Sequence, residues 1–203
     1  MKYSFKRGHE INLNNWSEIN RELQKTMEAT VRGEYTEEEL VDYCHQAVRD
    51  GVPLPKDPNM VFWGYDEPQT MPADARCEYF YLPTYLIVLT MVAGVNRYPK
   101  LMELDGVKDI LTRGLFACTG RGLQGSGYES YGILLENLTM FINAGILAFL
   151  RNHPGVGGAF GEMFNEHIEH IRNDYNNGQH IADWNQDFST EQKELLELVE
   201  AHS

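Results

Sequence analysis

Positive charge is scarce in this chain: 17 lysines and arginines stand against 30 aspartates and glutamates in 203 residues, a formal net charge of -13. Such a surface repels phosphate backbones and anionic membranes alike, so neither nucleic acid nor a membrane is expected as a partner. Cysteine is scarce too. Cys44, Cys77 and Cys118 are odd in number and form no CxxC pair, which excludes a disulfide scaffold and reads as reduced thiols filling the core of a cytoplasmic protein. No apolar run follows the basic clusters of MKYSFKRGHEINLNNW, so no secretory signal is expected and the chain is expected to start near Met1. The longest stretch without a charge, Tyr79 to Asn96, has 18 residues, the lower limit for a spanning helix. It contains Tyr79, Tyr81, Pro83, Thr84, Tyr85 and Thr90, and reads better as a helix packed on all sides in a core. Hydrophobic residues at 42% and charged residues at 23% exclude disorder and collagen, and 203 residues suffice for one soluble domain with a real core.

Helical spacing accounts for most of what is present. A first helix is expected from about Trp16 to Arg32, with Asn15 as cap and Trp16, Ile19, Leu23, Met27 and Val31 on one stripe. A second follows after Gly33-Glu34-Tyr35: Thr36 and Glu39 have capping-box spacing, and Leu40, Val41, Cys44, Ala47 and Val48 recur on one face up to Gly51. The two are expected to form an antiparallel hairpin. Residues 51–77 hold five of the eight prolines together with Phe62, Trp63 and Tyr65, which predicts a long, ordered loop packed on the domain. No alternating run of useful length occurs, so no sheet is expected.

The segment from Glu78 is echoed by the segment from Glu129. Leu89-Thr90-Met91 matches Leu138-Thr139-Met140, and Ala93-Gly94-Val95 matches Ala144-Gly145-Ile146, at offsets of 49 and 51. Each copy is expected to hold an apolar helix, a break at Pro99 or Pro154, and an amphipathic helix. In the first copy the latter runs from about Leu101 to Cys118; in the second it carries Phe160, Met163, Phe164, His167, Ile168, Ile171 and Tyr175 on one stripe. A last helix spans Ser189 to His202, where Ser189 and Gln192 again have capping-box spacing. The expected architecture is all-α: about seven helices forming three consecutive hairpins plus a C-terminal helix.

This alternation, the period near 50 and the glycine-rich run Gly122-Leu123-Gln124-Gly125-Ser126-Gly127-Tyr128-Glu129 over roughly residues 76–175 resemble the α/α-toroid superfamily of terpenoid cyclases, protein prenyltransferases and related hairpin-repeat enzymes. The resemblance implies a toroid-like arc or a compact bundle. The clustered aspartates of the cyclases and the zinc-ligand set of the prenyltransferases are absent, so it carries over an architecture and no catalytic residue.

In stacked hairpins the tight turns near Gly33, Pro99 and Pro154 share one end, and the long connections 51–77, 119–128 and 176–188 share the other. A small-ligand site is expected at the long-loop end, with Trp63, Tyr65, Asp74, Arg76, Gln124, Tyr128, His180 and Trp184 as substrate-binding candidates. Glu78 and Glu129 sit at corresponding helix starts and are the candidate acid and base of a hydrolase or lyase acting on a carbohydrate-like or apolar substrate; the alternative is that each caps its helix. The loop aromatics either wall the ligand or anchor the loops. Arg76 either pairs with an acid or clamps an anion.

Glu162, Glu166, His167 and His170 have spacings a metal could use, but the stripe puts His167 on the apolar face and the order HExxH is missing. No metal and no cofactor is therefore expected. The glycines of 120–127 follow no strand and lack the P-loop signature, and Ser126 lacks the GxSxG context of a nucleophile elbow. The competing class is a non-catalytic helical-repeat interaction or homo-oligomerisation protein. A concave pocket with a catalytic carboxylate inside would favour the enzyme; an apolar face without one would favour the interaction module.

Overall fold

The computed structural model describes residues 16–54, 57–63, 82–119, 130–182 and 185–202. Its centre is a helix with no polar side. In α3 (Leu82–Arg97) every residue from Pro83 to Val95 is buried, as the uncharged stretch predicts. Pro83 falls in the first turn, where its missing N–H breaks no helical bond. The two threonines bring their own partners: Thr90 donates to the Leu86 carbonyl at 2.7 Å, and Thr84 accepts from the Trp63 amide at 3.1 Å.

The other elements cover this helix. α1 (Trp16–Val31) and α2 (Glu37–Asp50) both lie against it. The capping box of α2 forms, with the Thr36 amide donating to Glu39 at 2.9 Å and the Glu39 amide to Thr36 Oγ1 at 3.3 Å. The expected hairpin of α1 with α2 is not the main contact, because α1 packs chiefly on α3. The reason lies in the face α1 buries. Leu23, Thr26, Met27 and Thr30 are buried, and Thr30 is buried without an unpaired hydroxyl because it donates to the Thr26 carbonyl at 2.8 Å. Val31, expected on the buried stripe, is rotated out and is 44% exposed.

Residues 52–62 correct the expectation of no sheet. β1 (Val52–Leu54) and β2 (Asp57–Phe62) pair antiparallel, Val52 opposite Phe62 and Pro53 opposite Val61, with an irregularity after Pro53. Alternation is invisible because Val61, Phe62 and Trp63 are all buried, and Pro53 and Pro58 mark the ribbon as an edge. The described part of this stretch is tied to Arg113, which donates twice to the Pro58 carbonyl, at 2.6 and 2.9 Å, while residues 64–77 of the expected loop lie outside the described residues. A second ribbon, β3 (Ile181–Ala182) with β4 (Gln186–Asp187), was likewise not expected.

After α3 the chain turns at Pro99 into a 3-10 turn, Pro99–Glu103, and then α4 (Val107–Ala117). The single helix expected over Leu101–Cys118 is split because Gly106 takes φ +77, a left-handed conformation that ends helical propagation. The counterpart of α3 is split as well: α5 (Ser130–Asn143) and α6 (Ile146–Asn152) meet at a 60° bend. Gly145 has φ +85 and its carbonyl accepts from Asn96 Nδ2 at 2.9 Å. The matched Ala-Gly pairs therefore differ in conformation, Gly94 continuing a helix and Gly145 breaking one.

α7 (Gly158–Asn176) buries Phe160, Phe164, Ile168 and Ile171 as its spacing predicts. Phe141 of α5 stacks on Phe160 and Phe164 and meets Tyr85 of α3 edge-on at 5.6 Å. α8 (Ser189–His202) packs on α5 and α7. Its expected capping box does not form. Asp187 caps instead, its carboxylate accepting from the Ser189 amide at 2.9 Å, a bond that holds the Asp187 carboxyl below its ordinary range. Eight α-helices thus stand among the described residues, and the class is all-α. No single helix among them is long and apolar enough to cross a membrane.

A methyl group on Gly145 would meet Asn96 Nδ2 at 2.6 Å and impose the left-handed penalty of about 1–2 kcal/mol. Gly145→Ala is expected to lower the unfolding free energy by at least that amount, read as a lower urea midpoint with unchanged m. Gly158→Ala, at a helix start with open space around it, is expected to be neutral or to stabilise by up to about 1 kcal/mol. Equal effects at the two positions would contradict the assigned corner.

Candidate functional site

Trp63 shows where one sequence-predicted site residue goes. Its side chain is 0% exposed and its indole N–H donates to the Ala47 carbonyl at 2.9 Å. Of its two readings the geometry is that of the anchor: Trp63 pins the 51–63 segment to α2 and α3. His180 is half-buried, meets the Tyr175 ring at a tilt with centroids 5.4 Å apart and lies 2.7 Å from Gln192 Oε1. The Gln192 amide nitrogen donates to the Tyr131 hydroxyl at 2.6 Å and to the Gln179 carbonyl at 3.1 Å. Its oxygen therefore accepts, which places the His180 proton on Nδ1. Gln192 is 0% exposed, so a buried amide joins α5, the β3–β4 ribbon and α8. Glu78, Glu129, Tyr65, Asp74, Arg76, Gln124, Tyr128 and Trp184 lie outside the described residues.

The acidic and histidine run of α7 does not converge. Glu162, Glu166, Glu169 and His170 are exposed, Glu169 is engaged by Arg172, and His170 sits 3.5 Å from Asp174. Among the described residues no three His, Cys, Asp or Glu side chains are placed to hold a metal ion. His167 is half-buried, and burial, aided by His170 and opposed by Glu166, holds its pKa below the ordinary value. The thiols of the core are inert by the same physics: burial pushes Cys44 up to about 12 and raises Cys118 as well.

Among the described residues a concave feature lies elsewhere, between α1, α5 and α8. It is a half-open groove of about 970 Å³. α1 presents Gln24, Met27, Glu28, Val31 and Arg32; α5 presents Gly132, Leu135, Glu136, Thr139, Met140 and Asn143; α8 presents Glu191, Glu194, Leu195 and Leu198. Each set recurs at three and four residues, so each helix offers one continuous stripe. Ile133, Gln186 and Phe188 complete the wall, and Phe188 is held by an edge-on contact with Tyr131 at 5.5 Å. The floor is apolar and the rim is acidic. Glu136, Glu191 and Glu194 are exposed, and Glu28 accepts from Gln24 at 2.9 Å. Arg32 donates to Glu34 at 2.6 Å and lies 3.9 Å from Glu28.

These residues were missed because each belongs to a helix that also has a core face. A signal was available on α5, where Ile133, Leu134, Leu135, Leu138, Met140, Phe141 and Ile142 exceed what one buried face needs. Comparison with protein-family models, with curated proteins and with solved structures finds no match to the chain.

Two outcomes check this description. Gln192→Leu removes partners from Tyr131, His180 and the Gln179 carbonyl and is expected to cost about 1–3 kcal/mol; a neutral result in urea unfolding would contradict the buried amide. His167 has a folded pKa below its unfolded value, so the unfolded chain binds its proton first. Its contribution is present above the unfolded value of about 6.5 and is lost as pH falls below it. His167→Gln is therefore expected to flatten the stability profile between about pH 7.5 and pH 5.5; a profile parallel to that of the unaltered protein would contradict the assignment.

Proposed function

We propose that the protein is a non-catalytic interaction module, and that the groove between α1, α5 and α8 receives one face of a partner helix. The observation that carries this reading is the lining: three sets of residues at helical spacing, one from each helix, around an apolar floor that suits the apolar face of an amphipathic helix. The α5 stripe from Gly132 to Asn143 is about 16 Å long at 1.5 Å per residue. A helix of 10–12 Å diameter embedded to half its depth over that length fills on the order of 600–900 Å³, comparable with the groove. Val31 supports the same reading, being the exposed large hydrophobic residue among those described and a wall of this groove.

The carboxylates on the rim argue for recognition rather than turnover. Glu136, Glu191 and Glu194 are exposed to water, whereas an acid or base poised for catalysis is commonly desolvated or set against a second charge. A toroid-like arc of hairpins is retained as a proposal, supported by the contact of Asn96 with Gly145, 49 residues apart, in the two echoed segments.

A synthetic helix with a leucine face and glutamine flanks tests the groove. Calorimetry is expected to show binding with a negative heat-capacity change, the mark of apolar burial. Thr139→Trp, which fills the groove from α5 without altering charge, is expected to weaken binding by roughly tenfold or more, about 1.4 kcal/mol, while leaving the circular dichroism unchanged. Absence of binding, or binding indifferent to Thr139→Trp, would contradict the proposal.

A further inference from the structure

The rim of the groove carries charge that nothing on this chain's described surface balances. Glu136 on α5 and Glu191 and Glu194 on α8 are exposed, and among the described residues none of them makes an ion pair. The cation at this rim, Arg32, is taken up by Glu34 and Glu28. Each free carboxylate also keeps register with the floor. Glu194 is four residues before Leu198, Glu191 is four before Leu195, and Glu136 is four before Met140, so every acid stands one helical turn from an apolar contact. The sites that attract a cation thus flank the sites that bury a side chain.

From this placement we infer that the occupant of the groove is a cationic amphipathic helix, its large apolar side chains on the floor and its lysines or arginines along both flanks. The inference rests on the groove reading above and adds the sign of the partner. A second copy of the chain is disfavoured by the same charges, because it brings a further net -13 to an acidic rim. A helix with neutral flanks satisfies the floor and leaves the rim unpaired.

Three labelled synthetic helices of about 18 residues, five turns long, decide the matter by fluorescence anisotropy with the full chain. They share one leucine face and carry lysine, glutamine or glutamate on the flanks. The expected order of affinity is lysine, then glutamine, then glutamate. Each exposed pair is worth roughly 1.4- to 5-fold, so the lysine helix is expected to bind about tenfold tighter than the glutamine helix at about 50 mM salt. The gap is expected to close near 1 M, where the screening length is about 3 Å. The triple variant E136Q/E191Q/E194Q is expected to bring the lysine helix down to the affinity of the glutamine helix and to leave the latter unchanged. Should the triple variant fail to fold, Glu194→Gln carries the same comparison with about one third of the effect.

Equal affinity of the lysine and glutamine helices would overturn the charge inference and leave the groove reading standing. A lysine preference that survives in the triple variant would overturn it too, by tracing the preference to the whole surface. Binding of none of the three would overturn both. A dimer seen in sedimentation and abolished by Thr139→Trp would seat a second copy in the groove and overturn the cationic partner.

Discussion

A helix without a polar side is a demand on everything around it. From Pro83 to Val95 each α3 side chain must be covered, and burying a large aliphatic or aromatic side chain contributes about 1.5–3 kcal/mol only when the cover is complete. The remaining elements are arranged by that requirement. α1 packs on α3, α2 and α4 add further contacts, and α6, set at an angle to α5 by Gly145, packs on α3 as well.

The groove follows from how that cover is made. α1 buries Leu23, Thr26 and Thr30, while Gln24, Met27, Glu28 and Val31 line the groove. α5 directs Phe141 inward and leaves Thr139, Met140 and Asn143 on its other side. The groove lies between these flanks. α8 walls it, located by the buried Gln192 amide, by the Asp187 cap and by Phe188 against Tyr131. Gln192 and Asp187 fix α8 without lining the groove, whereas Phe188 does both, and the exposed acids of the rim take no part in the anchoring.

Much of the helical layout was legible because period and caps are local. Thr36 with Glu39 starts α2, Pro99 ends α3, and the stripe from Phe160 to Ile171 gives the inner face of α7. Other features depend on partners distant in sequence. Whether Val31 faces the core depends on how α1 is turned against α3, and Gln192 reads as a capping residue until His180 and Tyr131 claim it. Gly94 and Gly145 sit in matching triplets, yet only the second adopts a left-handed conformation, because only it must turn a helix. Trp63 carried two readings, and burial assigns it to the anchor. Of the candidate site little was legible, since a groove between three helices is a property of their packing and leaves no motif of its own.

Native-state hydrogen exchange tests the enclosure of α3 most directly. If the helix is the covered axis of the molecule, the amides from Leu86 to Val95 exchange only through global unfolding, with a denaturant dependence equal to that of the whole protein. Exchange of that stretch by local opening, at lower free energy than the amides of α1 or α2, would contradict the account.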